Sequence, residues 1–148
     1  MSELKQRILD DMKSAMRQKD AVALETIRMI RAAVQRREVD ERIELDDSGV
    51  MQIIQKLIKQ CTDAAEQFGE GGREDLVAKE QANIQVLEKY LPDQLSGDEL
   101  EELVRQAITE TSAASMKDMG KVMGILKTRV QGRADMGALS GLVKSLLS

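Results

Sequence analysis

One apolar stripe over residues 50–68 constrains the fold of this chain more than any other feature. Its apolar side chains recur at spacings of three and four residues and fall within about 80° of one direction on a helical wheel. This periodicity predicts a long amphipathic helix over residues 49–68, capped by Asp47 or Ser48. The stripe consists of Val50, Ile53, Ile54, Leu57, Ile58, Cys61, Ala64, Ala65 and Phe68.

The same helical spacing recurs in the rest of the chain and predicts an all-α protein. Further helices are expected over residues 2–18, 21–37 and 73–90. Ser2 and Asp20 are suited to cap the first two, because their side-chain oxygens can accept hydrogen bonds from free amides.

The chain is predicted to form two helical units. Pro92, the only proline, disfavours helical geometry at the residue before it and ends an N-terminal unit of about four helices, residues 1–92. Ser96 and Glu99 then form a capping-box pattern. This pattern opens a C-terminal bundle of three short helices, residues 96–148.

Composition excludes several kinds of functional site. The chain has no histidine, one cysteine and two aromatic residues, so it lacks the commonest general base, an internal disulfide and an aromatic platform for stacking bases. We therefore expect no catalytic residue, no metal site and no cofactor. No apolar run has the length of a membrane span, and residues 1–11 lack the apolar segment of a secretory signal. We expect a cytoplasmic protein with no membrane partner.

Charge is distributed unevenly, although the net charge is only -4. Between Thr26 and Arg37 four arginines are unopposed and predict a basic ridge. The next ten residues, 38–47, hold six acidic residues against one arginine. We interpret this segment as a solvated loop that neutralises the ridge, with a separate acidic binding site as the alternative. The ridge consists of Arg28, Arg31, Arg36 and Arg37.

Two polar residues interrupt the apolar stripe of the predicted fourth helix, Glu80 and Asn83. Burying a carboxylate without a partner costs several kcal/mol. Glu80 is therefore expected to pair with an arginine, either Arg28, Arg31 or Arg73. The Glu80–Arg28 pair is the candidate structural ion pair.

The strongest candidate for a binding surface is the stretch from Met119 to Asp135. Residues 116–148 hold six basic side chains against two acidic ones, a balance of +4. Gly124 falls on the polar face of the predicted sixth helix, where no core packing requires a glycine. Since glycine costs roughly 1 kcal/mol relative to alanine inside a helix, its presence suggests that something approaches the backbone there; a tolerated glycine is the alternative.

The end of this stretch has the elements of a phosphate site. Gly132 is placed to end the sixth helix in the left-handed conformation, and Arg133 lies just before Asp135, the expected cap of the last helix. The carboxylate of Asp135 would itself satisfy some of the free amides. The candidate RNA-binding residues are Lys117, Gly120, Lys121, Gly124, Lys127, Gly132, Arg133 and Lys144.

Several separated motifs resemble the YqeY family of small bacterial proteins with mitochondrial relatives. Family members often carry a second glutamate shortly after the one at Glu80, where this chain has Asn83. The motifs are AMRQKD at 15–20, LETIRMIRAAV at 24–34, GREDL at 72–76 with Glu80, YLPDQLS at 90–96, and MGKVMGIL with GRAD near the C-terminus.

The C-terminal unit also resembles the tail of the GatB component of the glutamine-dependent aspartyl/glutamyl-tRNA amidotransferase. The matching residues are Gly120, Lys121, Met123 and the segment 132–135. The resemblance implies a ubiquitin-associated-type three-helix bundle that helps to hold tRNA. It also implies a family-level label of carbon–nitrogen ligase activity with glutamine as amide donor, although the catalytic domains have no counterpart here.

The expected partner is accordingly tRNA, or a tRNA-processing or amidotransferase protein, without specificity for DNA. The expected role is that of a non-catalytic accessory protein. The alternative function is a helical protein–protein interaction module that docks a partner protein.

Overall fold

The computed structural model describes residues 2–148 and is all-α, as the helical spacing predicts. These residues form seven α-helices and a short 3-10 turn, and they contain no β-strand. The chain divides into two compact units, which we call the N-terminal unit, ending at Leu91, and the C-terminal unit, Pro92–Ser148. Each unit has its own apolar core.

The N-terminal unit consists of α1 (Glu3–Gln18), α2 (Ala21–Glu41), α3 (Asp47–Glu70) and α4 (Glu74–Glu88). The predicted stripe of α3 supplies the centre of its core, where Val50 and Ile54 are fully buried. The stripe faces α4 most extensively. The periodicity therefore predicted both the helix and its buried face.

Side-chain caps fix where these helices begin. Ser2 Oγ accepts from the amide of Lys5 at 3.1 Å and Asp20 Oδ1 from that of Ala23 at 3.1 Å, so both predicted caps are confirmed. The predicted cap of α3 is wrong. Asp46 caps α3 by accepting from Gly49 N at 2.9 Å, and the helix starts earlier than expected.

The acidic segment 38–47 is only in part the solvated loop that its composition suggested: most of its acidic side chains are exposed, and Glu41 pairs with Arg37 of the basic ridge. Its first residues continue α2 to Glu41. Glu38 binds the ammonium of Lys5 and also accepts from the amide of Leu45 at 2.8 Å, and these hydrogen bonds lower its pKa. Asp47 accepts from the Ser2 hydroxyl and from the Leu4 amide at 3.1 Å. The carboxylates therefore tie the start of α1 to the connection between α2 and α3.

Glu80 and Asn83, the two polar residues on the α4 stripe, each contact a side chain of another helix. Glu80 lies beside the Cys61 thiol of α3 and, together with burial, raises the pKa of that thiol to about 11. The predicted Glu80–Arg28 pair is not among the ion pairs within residues 2–148. Asn83 Oδ1 accepts from the buried Thr26 hydroxyl at 3.0 Å, which satisfies both polar groups inside the core.

The C-terminal unit consists of α5 (Gly97–Thr111), a 3-10 turn (Met116–Asp118), α6 (Met119–Arg129) and α7 (Met136–Leu147). The predicted capping box is present, with Ser96 and Glu99 each accepting from the other's backbone amide. Ser115 caps the 3-10 turn, and the α-helical part of this segment starts at Met119. Fully buried side chains from all three helices form the core: Val104, Ala107, Val122, Leu126, Leu139 and Val143.

Candidate nucleic-acid interface

Four lysines of the candidate surface project from the C-terminal unit into solvent. None of the six ion pairs within residues 2–148 involves them. Lys121 lies near enough to Asp118 to contribute to lowering the pKa of that carboxyl, after the hydrogen bond from the Ala114 amide. Arg129, by contrast, is bound to Glu110 of α5 at 2.5 Å. The exposed lysines are Lys117, Lys121, Lys127 and Lys144.

Gly120 and Gly124 leave the backbone of α6 open along the same helix. Both are exposed, and a Cβ built at either position would meet no atom within 4 Å. No neighbouring helix therefore requires a glycine at these positions. A ligand could approach the peptide backbone here more closely than at any residue with a side chain.

The sequence of α6 is repeated in α7, a feature that the wheel of α6 alone did not reveal. Residues 118–128 read DMGKVMGILKT and residues 135–145 read DMGALSGLVKS. The two segments share an aspartate, a methionine, two glycines and a lysine at the same positions. Most of the other aligned positions hold similar residues, such as Ile125 with Leu142 and Thr128 with Ser145.

The structure gives the repeated residues equivalent positions. Met119 and Met136 are each the first residue of their helix. The apolar pairs Val122 with Leu126, and Leu139 with Val143, are fully buried. The glycines and the shared lysine, Lys127 on α6 and Lys144 on α7, are exposed on both helices. This adds Gly137 and Gly141 to the candidate residues. Gly141, like Gly124, has nothing within 4 Å of a built Cβ.

Gly132 and Arg133 make hydrogen bonds within the C-terminal unit. Gly132 has a φ of 73°, the left-handed conformation expected of it, but it is buried. Its carbonyl accepts from Gln94 Nε2 at 2.7 Å, while the Arg133 carbonyl accepts from the Leu95 amide at 2.8 Å. Arg133 Nε donates to the Asp93 carbonyl at 3.3 Å. This turn therefore fastens residues 93–95 to the bundle, through both carbonyls and the Nε of Arg133.

The start of α7 is likewise occupied by the protein itself. Asp135 Oδ2 accepts from the Ala138 amide at 3.0 Å and would lie 3.1 Å from a Cβ at Gly137. A carboxylate in this position repels an approaching anion and already satisfies one free amide. The exposed part of the candidate surface thus consists of the four lysines, Gly120, Gly124 and Gly141.

Two other features, a metal-binding cluster and a membrane-spanning helix, are absent from residues 2–148. That part of the chain contains no group of three acidic or cysteine side chains arranged to hold a metal ion. None of its helices combines the length and the apolar composition needed to cross a membrane.

Comparison with known proteins places the chain in a family. Residues 5–147 match the family model described as Yqey-like protein. The chain belongs to the YqeY family. The motif resemblance is therefore confirmed over nearly the whole chain.

Three fungal relatives share the name altered inheritance of mitochondria protein 41, mitochondrial. That of Pyrenophora tritici-repentis is 37% identical over 130 residues, which cover 86% of this chain and 71% of the relative. That of Kluyveromyces lactis is 32% identical over 139 residues, 91% of this chain and 71% of the relative. That of Saccharomyces cerevisiae is 35% identical over 86 residues, 57% of this chain and 46% of the relative.

The prediction of a cytoplasmic protein is wrong by this comparison, because these relatives are named as mitochondrial proteins. That prediction rested on the lack of an apolar secretory segment at residues 1–11 and of an apolar run long enough to span a membrane. Import into mitochondria uses amphipathic, arginine-rich segments, which such a test does not detect.

Proposed function

We propose that the C-terminal unit of this YqeY-family protein binds the phosphate backbone of RNA, with tRNA as the expected ligand, and that it acts as a non-catalytic accessory. The observation that carries the proposal is the repeated face of α6 and α7. Each helix presents an exposed mid-helix glycine followed by a lysine that forms no ion pair within residues 2–148: Gly124 and Lys127 on α6, and Gly141 and Lys144 on α7, with Gly120 as a second open glycine on α6.

This face has the properties that a polyanion requires. Lysine ammonium groups gain affinity by releasing counterions from phosphates, and glycines allow the backbones of protein and ligand to come close. The charge of the unit is also polarised, since residues 96–115 carry a balance of -4 and residues 116–148 one of +4. Such a field directs a nucleic acid toward α6 and α7 and away from α5.

The choice of tRNA rests on the resemblance of the C-terminal unit to the amidotransferase tail. Gly120, Lys121 and Met123, which carry that resemblance, lie on α6 within or next to the repeated segment. The family-level label of carbon–nitrogen ligase is not needed for this role, because backbone binding requires only position and charge.

A salt titration tests the proposal. Fluorescence anisotropy with labelled tRNA should show affinity falling steeply as salt rises. The double variant Lys127→Ala with Lys144→Ala should reduce the slope of log K against log salt by roughly 1–2 units, since each phosphate contact contributes about 0.7–0.9. The matched control is Lys13→Ala with Lys59→Ala, two exposed lysines of the N-terminal unit, for which the slope should stay unchanged.

Absence of tRNA binding at low salt, or an equal effect of both double variants, refutes the proposal. The alternative, a module that docks a partner protein, predicts a different result. Binding to a copurified protein should then survive high salt and depend on apolar side chains such as Val39 and Ile43, which are 67% and 46% exposed in the N-terminal unit.

A further inference from the structure

The N-terminal unit contains a cavity of about 360 Å³ that the RNA proposal does not use. Three helices border it: the second half of α1, the beginning of α2 and the end of α4. Each helix places an alanine against it, Ala15, Ala23 and Ala82 respectively. These short side chains leave an open depression between the helices, which larger side chains would fill. Its size falls within the range of roughly 300–1,000 Å³ typical of small-molecule pockets.

Polar side chains surround this alanine floor. Asp11, Ser14 and Gln18 recur along one face of α1, at spacings that place them side by side. Asp20 adds a second carboxylate from the cap of α2, and Lys89 lies on the α4 side. The ion pairs within residues 2–148 include none of Asp11, Asp20 and Lys89. Two carboxylates and one ammonium group therefore border the cavity without salt-bridge partners.

One of these carboxylates is held in a fixed position. The hydroxyl of Tyr90 donates to Asp11 Oδ2 at 2.7 Å, and Tyr90 is only 6% exposed. The guanidinium of Arg7 lies 5.0 Å from the centre of the Tyr90 ring and donates to the Lys89 carbonyl at 3.1 Å. Burial and the neighbouring Asp11 raise the pKa of Tyr90, so its hydroxyl stays protonated and continues to donate. A site held in place before binding loses less entropy when a ligand arrives.

We propose that this cavity binds a small organic cation, an alkylammonium or alkylguanidinium, with its alkyl part on the three alanines and its charge toward Asp11 and Asp20. The lining residues hold two carboxylates against one ammonium group, while the Arg7 guanidinium, 5.0 Å from the Tyr90 ring, offsets part of this negative charge. The ring of Tyr90 and the side chain of Val86 offer further apolar contact. The N-terminal unit would then have a ligand of its own, independent of RNA binding by the C-terminal unit.

The experiment uses the full chain labelled with nitrogen-15 and n-butylguanidinium as the probe. Amide shifts of Ala15, Ala23 and Ala82 should change saturably, whereas n-butanol and butyrate should leave them unchanged. Asp20→Asn should raise the dissociation constant of the probe about fivefold, since one exposed charge at hydrogen-bond distance is worth about 1 kcal/mol. Asparagine caps a helix as well as aspartate does, so this variant keeps the start of α2 intact.

Three further variants sharpen the test. Asp135→Asn makes the same exchange at the cap of α7 and should leave probe binding unchanged. Lys89→Gln should tighten binding, because it removes the like charge from the rim. Ala82→Leu should fill the cavity and abolish binding, with its thermal midpoint recorded to establish that it folds.

The proposal is overturned if butyrate binds as tightly as butylguanidinium, or if Lys89→Gln weakens the binding of the cation. It is equally overturned if Asp20→Asn and Asp135→Asn behave alike. Because none of these variants touches α6 or the lysine of α7, failure here leaves the RNA proposal standing.

Discussion

Replacing the exposed mid-helix glycines of the repeat by alanine should separate stability from RNA binding. Gly124 of α6 and Gly141 of α7 each have open space where a Cβ would project, so neither Gly124→Ala nor Gly141→Ala creates a clash. Alanine restricts the unfolded chain and favours the helix. Both substitutions are therefore expected to stabilise the C-terminal unit.

The magnitude follows from helix propensity. Each exchange should contribute roughly 0.5–1 kcal/mol, and the two should add to about 1–2 kcal/mol because they lie on different helices. In a unit of this size each kcal/mol raises the thermal midpoint by about 4–8 °C. Thermal unfolding followed by circular dichroism or calorimetry measures the gain.

The same double variant should bind tRNA more weakly, because two methyl groups now stand between the helix backbone and a phosphate. A loss of several-fold at fixed salt, without a large change in the salt slope, would distinguish steric exclusion from loss of charge. The control is Gly97→Ala at the start of α5, an exposed glycine that also has open space around it but lies on the acidic helix. If the stabilised variant binds tRNA as tightly as the original chain, close approach to the glycines is refuted.

Three other outcomes follow from the contacts described. Cys61, whose pKa is about 11 because of burial and Glu80, should react with a disulfide reagent at pH 8 only as the protein unfolds; reaction at the rate of a free thiol would contradict its burial. Because the pKa of Glu38 is lowered in the fold, its stabilisation is complete above its ordinary value of 4.5 and disappears as the pH falls through the lowered value. Glu38→Gln should thus cost up to about 1 kcal/mol at pH 7 and little at pH 3, as urea titrations at both pH values can show. Gly132→Ala, at a φ of 73°, should cost about 1–2 kcal/mol by the same measurement.

Helix positions were predictable because they depend on residues close together in sequence. The apolar stripe of α3, the caps at Ser2 and Asp20, and the capping box of Ser96 with Glu99 all follow from spacings of a few residues. The predicted cap of α3 failed for a related reason. Asp46, Asp47 and Ser48 can each cap a helix, and spacing alone does not choose among them.

Contacts between distant residues were not predictable in this way. The acidic segment appeared to be a solvated loop because its charges have few opposite partners nearby in sequence. Glu41 does pair with Arg37, four residues away, but Glu38 binds Lys5 and Asp47 binds Ser2, which are distant in sequence. The candidate site shows the same limit, since Gly132 has the predicted backbone conformation but its carbonyl is taken by Gln94.

The repeat bears on the two interpretations of Gly124 that the sequence of α6 left open, a ligand that approaches the backbone or a tolerated glycine. A pair of glycines four residues apart often marks close packing between helices, and such packing would bury both. In α6 and α7 the buried positions belong instead to Val122, Leu126, Leu139 and Val143, which are fully buried. The glycines lie on the exposed side of both helices. Since each exposed mid-helix glycine destabilises its helix by roughly 0.5–1 kcal/mol, their occurrence at equivalent positions in two helices favours a surface whose backbone must stay accessible to a ligand.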